Sequence, residues 1–266
     1  MIRCLAGLLI LSTAAMSAGA LASDLPAEPP VESSAERSIE PSPKPFRWGA
    51  VLQAHHYSES LMRIAGPALG LRVEREVVMD ERPIRLEAEI LKGQGDYSSP
   101  VSGEISGVER LASAWHASTQ LDMPSWVPRP GFALTTEWTD LRGISSKGQA
   151  GYERFNASLW LSGSWQLETE REAGPTQLRA ALLLHGWQRS FLSQANNTLG
   201  DVTNQQSRGL WIAVERPFLL GGSPSSLRVG WRLYGRSDLR AANSRVSVYE
   251  PANRAFEVAL TVWRSP

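Results

Sequence analysis

The stretch Gln177–Arg189, QLRAALLLHGWQR, alternates in side-chain type. Leu178, Ala180, Leu182 and Leu184 fall on one parity; Gln177, Arg179, His185 and Arg189 fall on the other. Successive side chains of a β-strand point to opposite faces, so this segment has one apolar and one polar face. A polar stretch, Ser190–Ser207, follows and contains Asn196-Asn197 and Asn204-Gln205-Gln206. Gly209–Arg216, GLWIAVER, then alternates again, with Leu210, Ile212 and Val214 against Trp211 and Glu215. The two runs predict a long antiparallel hairpin with a long loop at one end.

The rest of the chain repeats this unit. Ten segments carry period-2 patterning, near 46–57, 66–78, 83–94, 106–118, 131–141, 151–167, 176–190, 207–218, 225–236 and 254–264. In the second, Leu69, Leu71, Val73 and Val77 oppose Arg72, Glu74 and Glu76; in the third, Ile84, Leu86, Ala88 and Ile90 oppose Arg85, Glu87 and Glu89. In the ninth, Leu227, Val229, Trp231 and Leu233 oppose Arg228, Arg232 and Arg236; in the tenth, Phe256, Val258, Leu260 and Val262 oppose Glu257, Ala259 and Thr261. The fourth is the poorest, because Glu109, Arg110 and His116 suit neither parity. Met79–Arg82, Glu170–Gly174 and Leu220–Ser223 read as short turns. Leu121–Pro130, with three prolines, is somewhat longer. Ser58–Ile64, Gln94–Ile105, Arg142–Ala150, Ser190–Ser207 and Ser237–Asn253 read as longer polar loops. Short turns on one side and long loops on the other predict an all-β fold: an up-and-down antiparallel transmembrane β-barrel in residues 46–266. Those residues allow about 22 per strand and connection over ten strands, against the ~9–11 that a spanning strand needs. Eight strands remain open if the fourth or fifth segment is not a full span. Trp48, Trp165 and Trp231 sit on the apolar parity as candidates for an interfacial aromatic belt. A secreted soluble barrel or sandwich, with the apolar faces inward, is the alternative.

Residues 1–22 read as a signal peptide: Arg3, an apolar run Leu5–Met16, and the small-x-small site Ala20-Leu21-Ala22. Cys4, the one cysteine, precedes the apolar run and leaves with it, which excludes disulfide and thiol chemistry from the mature chain. Cleavage leaves 26 basic against 27 acidic side chains, a net charge of −1 that gives no argument for a nucleic-acid partner. Residues 23–45 are rich in Pro, Glu and Ser and predict a disordered linker. Hydrophobic content of 42 % is ordinary, as expected where alternation hides the membrane signal.

With the apolar parity outward, the lumen row holds Arg47, Arg72, Arg85, Arg154, Arg179, Arg228 and Arg232 with Glu74, Glu87, Glu89, Glu137, Glu215 and Glu257. A barrel this narrow packs its interior with side chains, and unpaired buried charges cost several kcal/mol, so these residues should pair and close the lumen. A narrow small-solute channel along the same Arg/Glu ladder is the second reading. A strongly selective pore would show an excess of one sign. A third reading is a hydrolase at the outer rim, acting on peptide or lipid A, with His55 or His56 and Asp96 or Asp140 activating a water or serine. No spacing ties these residues together. His116 falls toward the periplasmic end, and His185 on the inward parity. No histidine cluster has metal-site spacing, and neither a metal nor a cofactor is expected. Gly93-Gln94-Gly95 and Gly221-Gly222 read as turn glycines rather than a phosphate loop, because no helix follows.

Three blocks carry a resemblance: Ala150-Gly151-Tyr152-Glu153-Arg154, Trp187-Gln188-Arg189-Ser190-Phe191-Leu192-Ser193, and Asn204-Gln205-Gln206 with Gly209. They resemble recurrent blocks of small Gram-negative outer-membrane β-barrel proteins, often labelled porin-like. The resemblance covers residue 46 to the end, most clearly 140–216. It implies an outer-membrane barrel and carries over no catalytic residues. Such barrels commonly end on an aromatic residue, whereas here Trp263 is followed by Arg264-Ser265-Pro266. The expectation is a monomeric, non-enzymatic barrel in contact with outer-membrane lipid and lipopolysaccharide, with a surface partner reached through its loops.

Overall fold

The computed structural model describes residues 46–121, 124–167 and 174–264. The expected signal peptide and linker lie outside the described residues, as does most of the Glu170–Gly174 turn. The described strands are β1 (Arg47–Glu59), β2 (Met62–Met79), β3 (Arg82–Ser99), β4 (Gly103–Thr119), β5 (Arg129–Asp140), β6 (Glu153–Leu167), β7 (Thr176–Ser190), β8 (Val202–Gln206), β9 (Gly209–Leu220), β10 (Ser223–Tyr234), β11 (Arg240–Ala241), β12 (Ser247–Val248) and β13 (Asn253–Arg264). Each main strand pairs antiparallel with its chain neighbours, β1 pairs with β13, and β6 pairs with β7, so the sheet closes. β8 and β9 both lie against β7, at different heights, and form one interrupted stave. The result is a closed up-and-down barrel of ten staves. All ten expected segments are strands, and the fourth is a full-length one.

The outside of the barrel carries the apolar parity. Leu52, Leu69, Leu71, Ile90, Trp115, Phe132, Leu182, Trp231 and Phe256 are all exposed. Of the belt candidates, Trp48 and Trp231 are exposed, and the Trp165 indole donates to the Trp126 carbonyl at 3.2 Å. These outward runs have sharp ends. On β2 the run lies between exposed Arg63 and Arg75, and on β3 between Arg82 and Lys92. On the eighth stave it lies between Arg208 and Arg216, and on β13 between Arg254 and Arg264.

Beyond that band, at the end away from the termini, the polarity inverts. Tyr57, Ile64, Val108 and Leu141 point inward as a buried cluster, while Arg63, Asp96 and Glu104 are exposed. This inversion corrects two expected loops. Ser58–Ile64 and Gln94–Ile105 are not loops. β1 and β2 run on to a two-residue turn at Ser60-Leu61, and β3 and β4 to a turn at Pro100–Ser102. The backbone stays paired while the hydropathy phase reverses, and that reversal reads as a break in the pattern. Gly93 and Gly95 are likewise strand residues: a Cβ on Gly93 would sit 2.4 Å from the Pro67 carbonyl oxygen on β2. The Gly221-Gly222 turn stands as expected, with φ of +56° and +82°. The equivalent β2–β3 turn places Asp80 and Glu81 at φ +47° and +62°, a conformation that two-residue hairpins demand and glycine suits better.

One expected side-chain direction fails for a local reason. In the β6–β7 ladder Leu159 pairs with His185 and Trp160 with Leu183, so Leu184 is an extra residue. A bulge of this kind flips every later side chain. Leu183, just before the bulge, keeps the inward parity of Arg179 and Ala181, and beyond the bulge Gly186, Gln188 and Ser190 are buried instead of His185 and Arg189. Arg189 goes outward, and the His185 ring packs at 4.3 Å on Trp187, which is exposed.

Candidate functional site: the filled lumen

Alternation decides what fills the barrel. Every second residue of each stave points in, and each of the ten staves contributes at least one charged residue to the ion pairs of the interior. Arg72, 1 % exposed, reaches three carboxylates: Glu215 at 2.8 Å, Glu74 at 2.9 Å and Glu87 at 3.0 Å. Glu87 also takes Arg179 at 3.0 Å and Arg85 at 3.1 Å. Glu74 takes Arg47 and, at 2.8 Å, Arg85. A second group lies alongside: Arg228–Glu89 at 2.6 Å, Arg232–Glu257 at 2.7 Å and Arg110–Glu137 at 2.9 Å. Arg154 pairs with Glu250 and, more distantly, with Glu59 at 3.9 Å. All thirteen residues read from the sequence as a lumen charge row thus take part in ion pairs. In a low-dielectric interior each shared carboxylate must offset several desolvated guanidiniums, and bidentate, charge-assisted geometry is what makes that possible.

The opposite wall is apolar. Trp160, fully buried, packs edge-on against Trp211 at 6.1 Å and Tyr234 at 5.4 Å. Ala133, Ala181, Leu183 and Ala213 complete this cluster. The Trp160 indole N–H donates to Thr135 Oγ1 at 3.2 Å, which satisfies the polar edge of a buried tryptophan. At the end bearing the termini, Trp263 faces inward, beneath the Arg47 guanidinium at 4.1 Å, and its N–H donates to Ser226.

The loop end is capped. The β10–β13 connection folds back through β11 and β12, and Glu250 from this connection enters the barrel, where Tyr57 and Arg154 donate to it and Gln188 donates from β7. Ser237 Oγ accepts from the Glu250 N–H at 2.7 Å and fixes its backbone. Leu192, Val202 and Ala242 pack the cap together with Tyr152, whose phenol is pushed above its ordinary value by burial. Outside the cap, Arg142 is raised by its hydrogen bonds to Asp140.

Among the described residues, three spaces bear on the lumen. A cavity of about 40 Å³ lies in the middle of the lumen, against Arg110, Arg179, Trp211 and Glu257. One of about 30 Å³ lies beneath the cap, against Tyr57, Glu137 and Gln188. A vestibule of about 430 Å³ opens beside Arg47, Arg85, Glu215 and Trp263.

The rim residues considered for hydrolysis are dispersed. His55 is buried in the lumen, opposite Glu257 in the β1–β13 ladder. His56 and Asp96 are exposed on the outer face, on one row with Ala65 between them. One intervening strand sets them about 10 Å apart. Asp140 accepts from Arg142 at the end of β5. Among the described residues no cluster of His, Cys, Asp or Glu is arranged to hold a metal.

Three members of the charge network, Arg110, Glu59 and Glu250, are absent from the row read from sequence; Glu59 falls in the stretch Ser58–Ile64 that reads as a loop. Arg110 lies on the segment whose pattern was poorest. A bulge at Ser106-Gly107, where Gly107 has φ +73°, resets the phase, so Arg110, Ala112, Ala114 and His116 all point in. Gly107 was the available signal. Glu250 sits in a loop, where no periodicity indicates a direction. His116 donates to or accepts from Ser162 Oγ at 2.9 Å.

No protein-family model matches the chain, and no curated protein matches it. Among solved structures it is similar to the β-domain of the Bordetella autotransporter Brka, at 15 % identity and a TM-score of 0.46 over 82 % of this chain and 99 % of that one. It is also similar to the outer membrane protease OmpT of Escherichia coli, at 10 % identity and a TM-score of 0.46 over 85 % and 98 %. A third is the translocator domain of the autotransporter NalP from Neisseria meningitidis, at 10 % identity and a TM-score of 0.42 over 84 % and 90 %.

Proposed function

We propose that this chain is a monomeric outer-membrane β-barrel of a Gram-negative envelope whose lumen is closed to solute. It acts as a non-enzymatic structural protein that meets a surface partner through its loops. The observation that carries the membrane placement is the outward apolar band bounded by Arg63 and Arg75, Arg82 and Lys92, Arg208 and Arg216, and Arg254 and Arg264. Long cationic side chains at both edges of an apolar belt reach the lipid headgroups while their stems stay in the hydrocarbon. The inversion of polarity beyond that belt supports the same reading, since a wall in water buries apolar residues inward. The ion pairs across the lumen and the Glu250 cap support closure.

Single-channel recording on the refolded protein tests closure, with heat-modifiable gel migration as proof of folding. A silent bilayer is expected. Steady, discrete openings would overturn the closed lumen in favour of a narrow porin-like channel.

A further inference from the structure

The central cavity has a wall with too many donors. Arg72, Arg110, Arg179, Arg228 and Arg232 face it, against the carboxylates of Glu87, Glu89 and Glu257. The partners that would even the count, Glu137 and Glu215, stand behind Arg110 and Arg72 rather than on the wall. On wall residues, five buried N–H groups lack a hydrogen-bond acceptor: Nε of Arg110, Arg179, Arg228 and Arg232, and Nε1 of Trp211. One buried acceptor, Glu89 Oε2, lacks a donor. His116 Nδ1 is also unpartnered and takes either role.

Each orphaned buried donor costs on the order of 1–3 kcal/mol, so something fills this space. Water both donates and accepts, and would need an acceptor for each proton it brings. A wall with five free donors, one free acceptor, one histidine nitrogen that takes either role and an excess of guanidinium suits a species that only accepts. The volume of about 40 Å³ limits that species to a few atoms. We infer that the central cavity is a binding site for a small inorganic anion of halide size. The anion sits between the Arg179–Trp211 pair, whose guanidinium and ring are 5.7 Å apart, and the Arg110 and Arg232 side. It satisfies the orphaned donors of this wall and ties the charged wall to the aromatic one. The site concerns the barrel interior and stands whether or not the barrel conducts.

The test is thermal unfolding of the protein refolded in detergent at constant ionic strength, with chloride replacing gluconate, which is too large for the cavity. A hundred-fold rise in chloride above half-saturation should raise Tm by about 5 °C. Trp211→Phe keeps the ring and removes one donor, so it should shrink that rise; Arg179→Met should nearly abolish it. Bromide-soaked crystals should show an anomalous peak in the cavity, a readout that holds even if a variant folds poorly. Equal Tm in chloride and gluconate, an undiminished rise in both variants, or a cavity holding only water would each overturn the site.

Discussion

The lumen has two walls that do the same packing work by different means. Around Arg72 and Glu87, charges from β2, β3, β7 and β9 share one another. Around Trp160, rings and small apolar side chains from β5, β6, β7, β9 and β10 interdigitate. The aromatic wall tolerates loss in proportion to the area removed. The charged wall does not, because deleting one carboxylate strands every guanidinium that shared it. A core built from shared ion pairs is therefore the more brittle of the two, and it fixes the order of the staves: Arg72 reaches carboxylates on β2, β3 and β9 only if those staves are placed as they are.

Glu87→Ala should have the largest effect, about 3–5 kcal/mol lost in urea unfolding, because Arg72, Arg85 and Arg179 all lose a buried partner. A loss near 1 kcal/mol would mean water has replaced the carboxylate and the wall is wet. Val229→Arg, on the outer face between Val214 and Val258 and 39 % exposed, should cost about 2–4 kcal/mol if that face meets lipid near mid-depth. The same change on a surface facing water stays within about 0.5 kcal/mol, so it separates the membrane barrel from a soluble one. Trp160→Leu keeps an apolar body but loses two ring contacts and the Thr135 hydrogen bond; a cost of about 2 kcal/mol is expected. If it matched Glu87→Ala, the contrast between the walls would fail. Arg47→Ala should be the mildest, below about 1 kcal/mol, since this side chain is 40 % exposed beside the vestibule and Glu74 keeps Arg72 and Arg85.

Particular residues show why some of this was legible. Ile84 to Ile90 alternate without interruption, and so do Phe256 to Val262; their strands, faces and inward charges follow from period alone. His185 was misdirected because a single extra residue, Leu184, shifts phase, and a bulge of this sort has no composition of its own. The tall β1–β4 rim reads as loops in sequence because there the inside is apolar and the outside polar. The pattern had not stopped but reversed, and only the surroundings of each face tell the two apart. Glu250 and the cap were out of reach because loop residues have no period. The four rim candidates rest on residue type alone, which carries no direction. The ladders set His55 inside the barrel and His56 outside, with Asp96 one strand from His56.

The sequence by itself determined an up-and-down barrel of about ten strands, with eight left open, and, between bulges, which residues share a face, because a β-strand has a rigid period of two and short turns join neighbours. Only the tertiary structure decided which arginine meets which glutamate, where the bulges reset the phase, and that Glu250 closes the loop end. Those outcomes depend on contacts between residues far apart in sequence, 143 positions for Arg72 and Glu215 and 193 for Tyr57 and Glu250, and on closure of the sheet, which no local pattern encodes.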